Sequence, residues 1–286
     1  MNDVYDTYPV VINGSNVVSG TNNSTFTFNF NNTVDLREAE VALQSLSMYY
    51  SWINISAQYG NNIFEYTWFQ TAGFETFQIT LPDGFYQISD INAYLQSVMY
   101  SNGHYLINGS NIVYYLEIVT NSSLYAIQVN SYPIPSSLPV GYTAPSNWHG
   151  YPATPSTPLF IVEDNAFQQT IGFLASSYPT APQSTNYSAV SSFTPQVSPV
   201  ESVLVSCNLL YNTIAIPSNI LYSFSSNNAT FGSVISVNPN YAFFNRIRSG
   251  SYTSLTIQFL DQNFNPIQIK DTSLVLVLSL RIPRRK

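Results

Sequence analysis

Cys207 is the one thiol of this 286-residue chain, and His104 and His149 are its two imidazoles, so nucleophilic and metal chemistry have few residues to draw on. A zinc site needs three or four ligands at close spacing, which one Cys and two scattered His do not supply. Cys207 alternates with its neighbours so that Val203, Val205, Cys207 and Leu209 share one strand face. That pattern describes a small core hydrophobe, because a nucleophilic thiolate needs a nearby base and a lowered pKa. Asp261-x-Asn263-x-Asn265 opens like a calcium loop, but Pro266 stands where glycine is required and Thr272 where the twelfth-position glutamate belongs. A polar turn is the better reading. Glu163 and Asp164 lie near aromatics and are a candidate carboxylate pair for glycoside hydrolysis, a chemistry that β-sandwiches host. The simpler reading makes Asp164 a helix cap and Glu163 a loop charge. No Gly-rich phosphate loop, nucleophile elbow or metalloprotease motif occurs. The expectation is a structural protein without catalysis, cofactor or metal.

The elements that would position these residues are set by an unusual composition. Charged residues make up 8% of the chain, against about a quarter in an ordinary soluble domain. Hydrophobic residues reach 45% and aromatics 15%, so the chain is not of the disordered type. Such a surface, polar but uncharged, can be covered by neighbours without desolvating many ions, as at the centres of protein interfaces. A bias toward Asn, Tyr, Phe and Ile codons produces the same composition. The net charge of −7 argues against general nucleic-acid binding. Four of the eight basic residues nevertheless crowd the end, at Arg281, Arg284, Arg285 and Lys286, a tail that could touch packaged nucleic acid or simply stay solvated. A single Cys allows no intrachain disulfide framework. The first residues lack a signal-peptide pattern and no run reaches membrane-spanning length, so a cytosolic, soluble product is expected. Asn-x-Ser/Thr matches at Asn13, Asn54, Asn108 and Asn228 then meet no glycosylation machinery.

Residues 253–282 anchor the fold reading. Leu255, Ile257 and Phe259 alternate with polar residues, and Leu274, Leu276, Leu278, Leu280 and Ile282 alternate with Val275 and Val277, which predicts two strands, the second apolar on both faces and central. Residues 1–23 read as an extended arm with one or two short strand pieces around Val10 to Ile12 and Val17 to Val18. Strands follow at 24–30, with Phe26, Phe28 and Phe30 on one face, at 38–50, at 63–69 and at 74–81, each closed by turn residues. Ser89 or Asp90 can cap a helix carrying Ile91, Leu95, Val98 and Met99 and ending before Gly103. Paired strands are expected at 112–119 and 124–129, loops at 133–158 and 176–199, and a short helical turn around Phe167 and Ile171 stopped by Gly172. Strands resume at 200–210 and 220–224. The sum is an all-β protein, a single eight-stranded antiparallel jelly-roll sandwich with a mixed, mainly β insertion. Residues 1–84 are its first half, 85–197 the insertion, and 198–286 the second half with the basic tail.

Several segments together resemble a known family: Phe28 to Phe30; Glu40-Val41-Ala42-Leu43-Gln44-Ser45-Leu46-Ser47; Ser51-Trp52-Ile53-Asn54-Ile55; and Asn61-Asn62-Ile63-Phe64. Leu81-Pro82-Asp83-Gly84-Phe85-Tyr86-Gln87-Ile88 before a helix, the Ile171-Gly172-Phe173 turn, Val205-Ser206-Cys207-Asn208-Leu209 and the terminal Asp261 hairpin extend the likeness over most of the chain. The pattern is similar to the penton capsid proteins of virophages and Polinton-like viruses. The resemblance implies a jelly roll with an insertion, homopentamers at the icosahedral vertices, and major capsid protein capsomers as partners. It implies a virion location after synthesis in the host cytoplasm or a viral factory. On that reading Tyr49, Tyr50 and Trp52 are the candidate interface cluster, core packing being the competing role. Arg281, Arg284, Arg285 and Lys286 face the particle interior, and Trp148 lies on an outer loop of the insertion. A glycan-binding spike or adhesin using exposed Tyr and Trp is the alternative, and a glycoside hydrolase ranks third. A major capsid protein, with a double jelly roll, would need a considerably longer chain.

Overall fold

A computed structural model describes residues 5–198, 200–226 and 229–284. Asn228, Arg285, Lys286 and the first four residues of the arm lie outside the described residues. The chain forms two compact units, one of residues 1–53 with 200–286, the other of residues 54–199.

In chain order the first unit opens with β1 (Tyr5–Asn13), β2 (Thr25–Asp35) and β3 (Glu40–Tyr49). The second unit holds β4 (Ile63–Gln70), β5 (Gly73–Thr80), α1 (Ile88–Ser101), β6 (Leu106–Asn108), β7 (Asn111–Val113), β8 (Leu116–Asn121), β9 (Ala126–Ser131), β10 (Tyr142–Thr143), β11 (Phe160–Val162), α2 (Phe167–Ile171), β12 (Ser176–Tyr178) and β13 (Tyr187–Val190). The first unit resumes with β14 (Val203–Cys207), β15 (Ile220–Phe224), β16 (Val234–Val237), β17 (Asn245–Arg246), β18 (Ser251–Leu260) and β19 (Leu274–Pro283).

The first unit is a sandwich of two antiparallel sheets, ordered β1-β19-β3-β16 and β15-β14-β18-β2, with the short β17 also pairing β3. Numbering its eight longer strands along the chain, the orders are first, eighth, third, sixth and fifth, fourth, seventh, second, the interleaving of a jelly roll. Alternation builds the core: Leu274, Leu276, Leu278 and Leu280 of β19 face Leu255, Ile257 and Phe259 of β18 across the layer, with Phe26 edge-on to Phe259 at 5.8 Å. Each such side chain removed from water contributes about 1.5–3 kcal/mol. The last strand is central, as its pattern predicts, yet only one of its faces is covered. Val275 is about half exposed and Val277 partly so, because among the described residues no strand of the unit lies outside this sheet.

Two expectations about the first half change. Residues 5–13 form more than a short strand piece of an arm: β1 pairs with β19 over nine residues, its Val10 and Ile12 buried while Pro9, Val11 and Asn13 point out. Pro9 and the flanking turn formers hide this alternation in the sequence. Residues 63–80 leave the sandwich, since β4 and β5 pair with each other and with β11 in the order β12-β11-β4-β5 of the second unit. The insertion therefore begins at 54 instead of 85, after three strands, and five longer strands follow it.

In the second unit Phe64, Tyr66 and Trp68 of β4 are all buried on one face. Phe64 stacks on Phe167 at 4.9 Å and leans on Phe160 at 5.4 Å. α1 lays Ile88, Ile91, Leu95 and Met99 on this core, the i, i+3, i+4 stripe of an amphipathic helix. Its N-terminus is closed by Asp90, whose Oδ2 accepts from Gln87 N–H at 2.8 Å. Asp164 is not the cap of α2; Asn165 Oδ1 accepts from Phe167 N–H at 2.8 Å, while Asp164 accepts from Gln168 Nε2. Gly172 stops α2 with φ 75°, as its position predicts. The segment expected as loop after 176 contributes two short strands, β12 paired with β11 and β13 paired with β9.

Candidate functional site

The chemistry-bearing residues are dispersed and mostly used for structure. Cys207 is buried, and burial pushes its thiol up to about 11, the opposite of what a nucleophile needs. His104 is fully buried with its ring stacked on Trp68 at 4.9 Å. Tyr66 Oη lies 2.8 Å from His104 Nδ1 and Gln70 Nε2 lies 3.2 Å from His104 Nε2, so both ring nitrogens are occupied by neutral groups. Burial, with a smaller contribution from His149, holds the His104 imidazole down at about 3 and therefore neutral. Among the described residues no three His, Cys, Asp or Glu side chains converge as metal ligands. Asp261 makes a turn: its Oδ1 accepts from the backbone N–H of Asn263 at 2.8 Å and of Asn265 at 2.9 Å. Glu163 and Asp164 are both exposed. The pKa of Glu65 is raised by burial first and then by the hydrogen bond and charge of Glu163.

The aromatic cluster at the end of β3 divides. Tyr49 is 37% exposed, but Tyr50 and Trp52 are only 5% and 2% exposed, with ring centroids 4.3 Å apart and Phe231 against Tyr50. Tyr50 and Trp52 are core residues here, because the chain turns back over them: Tyr50 N–H donates to Ser233 O and Gly232 N–H to Tyr50 O. Trp52 Nε1 is buried without an acceptor. Trp148 is likewise no exposed platform. It packs edge-on to Trp68 at 5.8 Å and against Tyr151 at 5.1 Å, with its own Nε1 buried and unpaired.

The basic tail is engaged where it is described. Arg284 Nη2 reaches Asp6 Oδ1 at 2.5 Å, and Arg281 lies 3.9 Å from Glu40 with its guanidinium 3.5 Å over the Phe244 ring. Arg285 and Lys286 lie outside the described residues.

What remains is surface, and it is charge-poor. On the outer face of the first sheet, adjacent strands set Asn13 beside Val275 and Ser47, Val11 beside Val277 and Ser45, and Tyr49 beside Val234. Among the described residues of these strands, charge enters at one end, where Glu40 lies between Arg281 and Arg246. A groove of about 440 Å³ opens at the β1 and β2 side of the sandwich, lined by Tyr8, Phe28, Phe30, Val34, Leu280 and Ile282 among others. Phe26, Phe28 and Phe30 do share a face, but only Phe26 is fully covered. The loop between β14 and β15 carries Ile214 and Ile216 at 95% and 100% exposure. Sequence reasoning missed this loop; the signal was Ile-Ala-Ile-Pro set among the turn formers Asn212, Thr213, Ser218 and Asn219.

No protein-family model matches the chain, and no curated protein does. Solved structures to which the fold is similar include two viral proteins. One is the mavirus penton protein, 9% identical over 98% of this chain and 99% of that one, with a TM-score of 0.44. Another is a chain of the Sputnik virophage structure determined by cryo-EM, 10% identical over 99% of this chain and 98% of that one, with a TM-score of 0.37.

Proposed function

We propose that this chain is a penton capsid protein: five copies close each fivefold vertex of an icosahedral virion, against capsomers of a major capsid protein. The observation that carries the reading is the outer face of the first jelly-roll sheet, where Val11, Val275, Tyr49 and Val234 stand exposed and Val277 half-covered among Ser and Asn, with charge at one end. A face of that kind is suited to be covered by protein, because burying it strands no ion. The sequence resemblance to virophage and Polinton-like pentons supplies the fivefold arrangement. The role requires no catalysis, and the neutral, buried His104 and Cys207 suit a structural part. Virion location follows from the same reading. Class averages of the purified chain in negative stain test it: rings with fivefold symmetry are expected, and threefold particles would overturn it in favour of a spike.

A further inference from the structure

We infer that the pentamer is held by a knob and a groove on opposite edges of the second sheet, the β14 to β15 loop of one copy seating in the β1 and β2 groove of the next. The inference rests on the pentameric reading and names its contact.

The groove has a structural origin. β2 is the last strand on its side of the sheet, next to β18 and bridged on its other side only at its start, by Val17 at Phe26; its pairing with β18 jumps from Asn29 opposite Ser254 to Val34 opposite Tyr252. The extra residues bow the strand away, so Phe28 and Phe30, edge-on to each other at 5.7 Å, stand partly uncovered beside Tyr8, Leu280 and Ile282. No charged side chain lines this groove.

The knob is on the other edge. β15 closes the far side of the same sheet, and the loop leading into it exposes every residue from Tyr211 to Ile216. Its shape is set internally: Asn212 N–H donates to Ser218 O at 2.8 Å, Ile214 N–H to Asn212 Oδ1 at 2.9 Å, and Arg248 lies 4.6 Å over the Tyr211 ring. Two fully exposed isoleucines on a loop held in place have no role in the unit's own core. From Leu209 to Ile220 the loop also carries no charge, so the two surfaces match in polarity.

Because knob and groove are different surfaces at opposite edges, their union is heterologous, and repetition of one such contact closes into a ring when the rotation allows. The occupant of the groove is thus a second copy of this chain.

The test mixes full-length Asn32→Cys chain with full-length Ile216→Cys chain and adds a short bismaleimide. Both positions are exposed, and the buried Cys207 does not compete. Val140→Cys, at another fully exposed position, replaces Ile216→Cys as the collision control. The 32–216 product is expected to exceed the 32–140 product on the order of tenfold, the gain of a docked over a random encounter. Equal yields overturn the contact. Equal yields from chains that are pentameric in solution leave the vertex reading standing with its interface elsewhere; equal yields from chains that never assemble remove both.

Discussion

Ile12 of the first strand lies directly across from Leu276 of the last, and both are fully buried. The two ends of the chain are thereby laced into one sheet around an insertion that interrupts the sandwich. Ile12→Ala is expected to cost about 2–5 kcal/mol in urea unfolding, the range for a truncated core aliphatic. A loss within about 0.5 kcal/mol, typical of surface positions, would instead describe a loosely attached arm.

His104 makes stability depend on pH. Its folded pKa of about 3 lies below the ordinary 6.5, so between these values the unfolded chain binds a proton that the folded chain refuses. Stability is complete above about pH 6.5 and falls as the pH drops toward 3, by about 1.4 kcal/mol per pH unit for one proton. His104→Gln, compared with the parent chain by denaturant unfolding across that window, is expected to show a shallower slope. Parallel curves for the two chains would contradict the buried neutral imidazole.

Gly172 sits at φ 75°, its carbonyl accepting from Ser192 N–H at 2.8 Å, and an added Cβ there would run into the Phe193 carbonyl. Gly172→Ala is expected to destabilise the chain by about 1–3 kcal/mol, combining left-handed strain with the clash. Thermal melts of the two chains measure it.

These three sites also mark how far the sequence can be read. The alternation of Leu255, Ile257 and Phe259 with polar residues identifies β18 without ambiguity, and Gly172 ends its helix where glycine is needed. Pairing partners are another matter. β4 has as regular an alternation as any sandwich strand, and nothing in Phe64, Tyr66 and Trp68 says that their covering comes from Phe160 and Phe167. Likewise Trp52 and Trp148 carry the same residue type that exposed aromatic platforms use. Their burial depends on residues far along the chain, such as the Thr230 to Ser233 turn that runs back over Tyr50.

The engaged tail gives a prediction on partners. With Arg284 held by Asp6 and Arg281 by Glu40 and Phe244, and with a net charge of −7, the chain is expected to leave duplex DNA unretarded in a gel-shift assay at physiological salt. Retardation that falls steeply with added salt would show a nucleic-acid partner instead.

Fivefold assembly is tested most directly by the solution mass of the purified full-length chain, followed by light scattering across a concentration series. The account predicts that a species of five-chain mass accumulates as concentration rises, with no stable intermediate of three. A stable trimer, or a monomer unchanged at the highest attainable concentration, would contradict it.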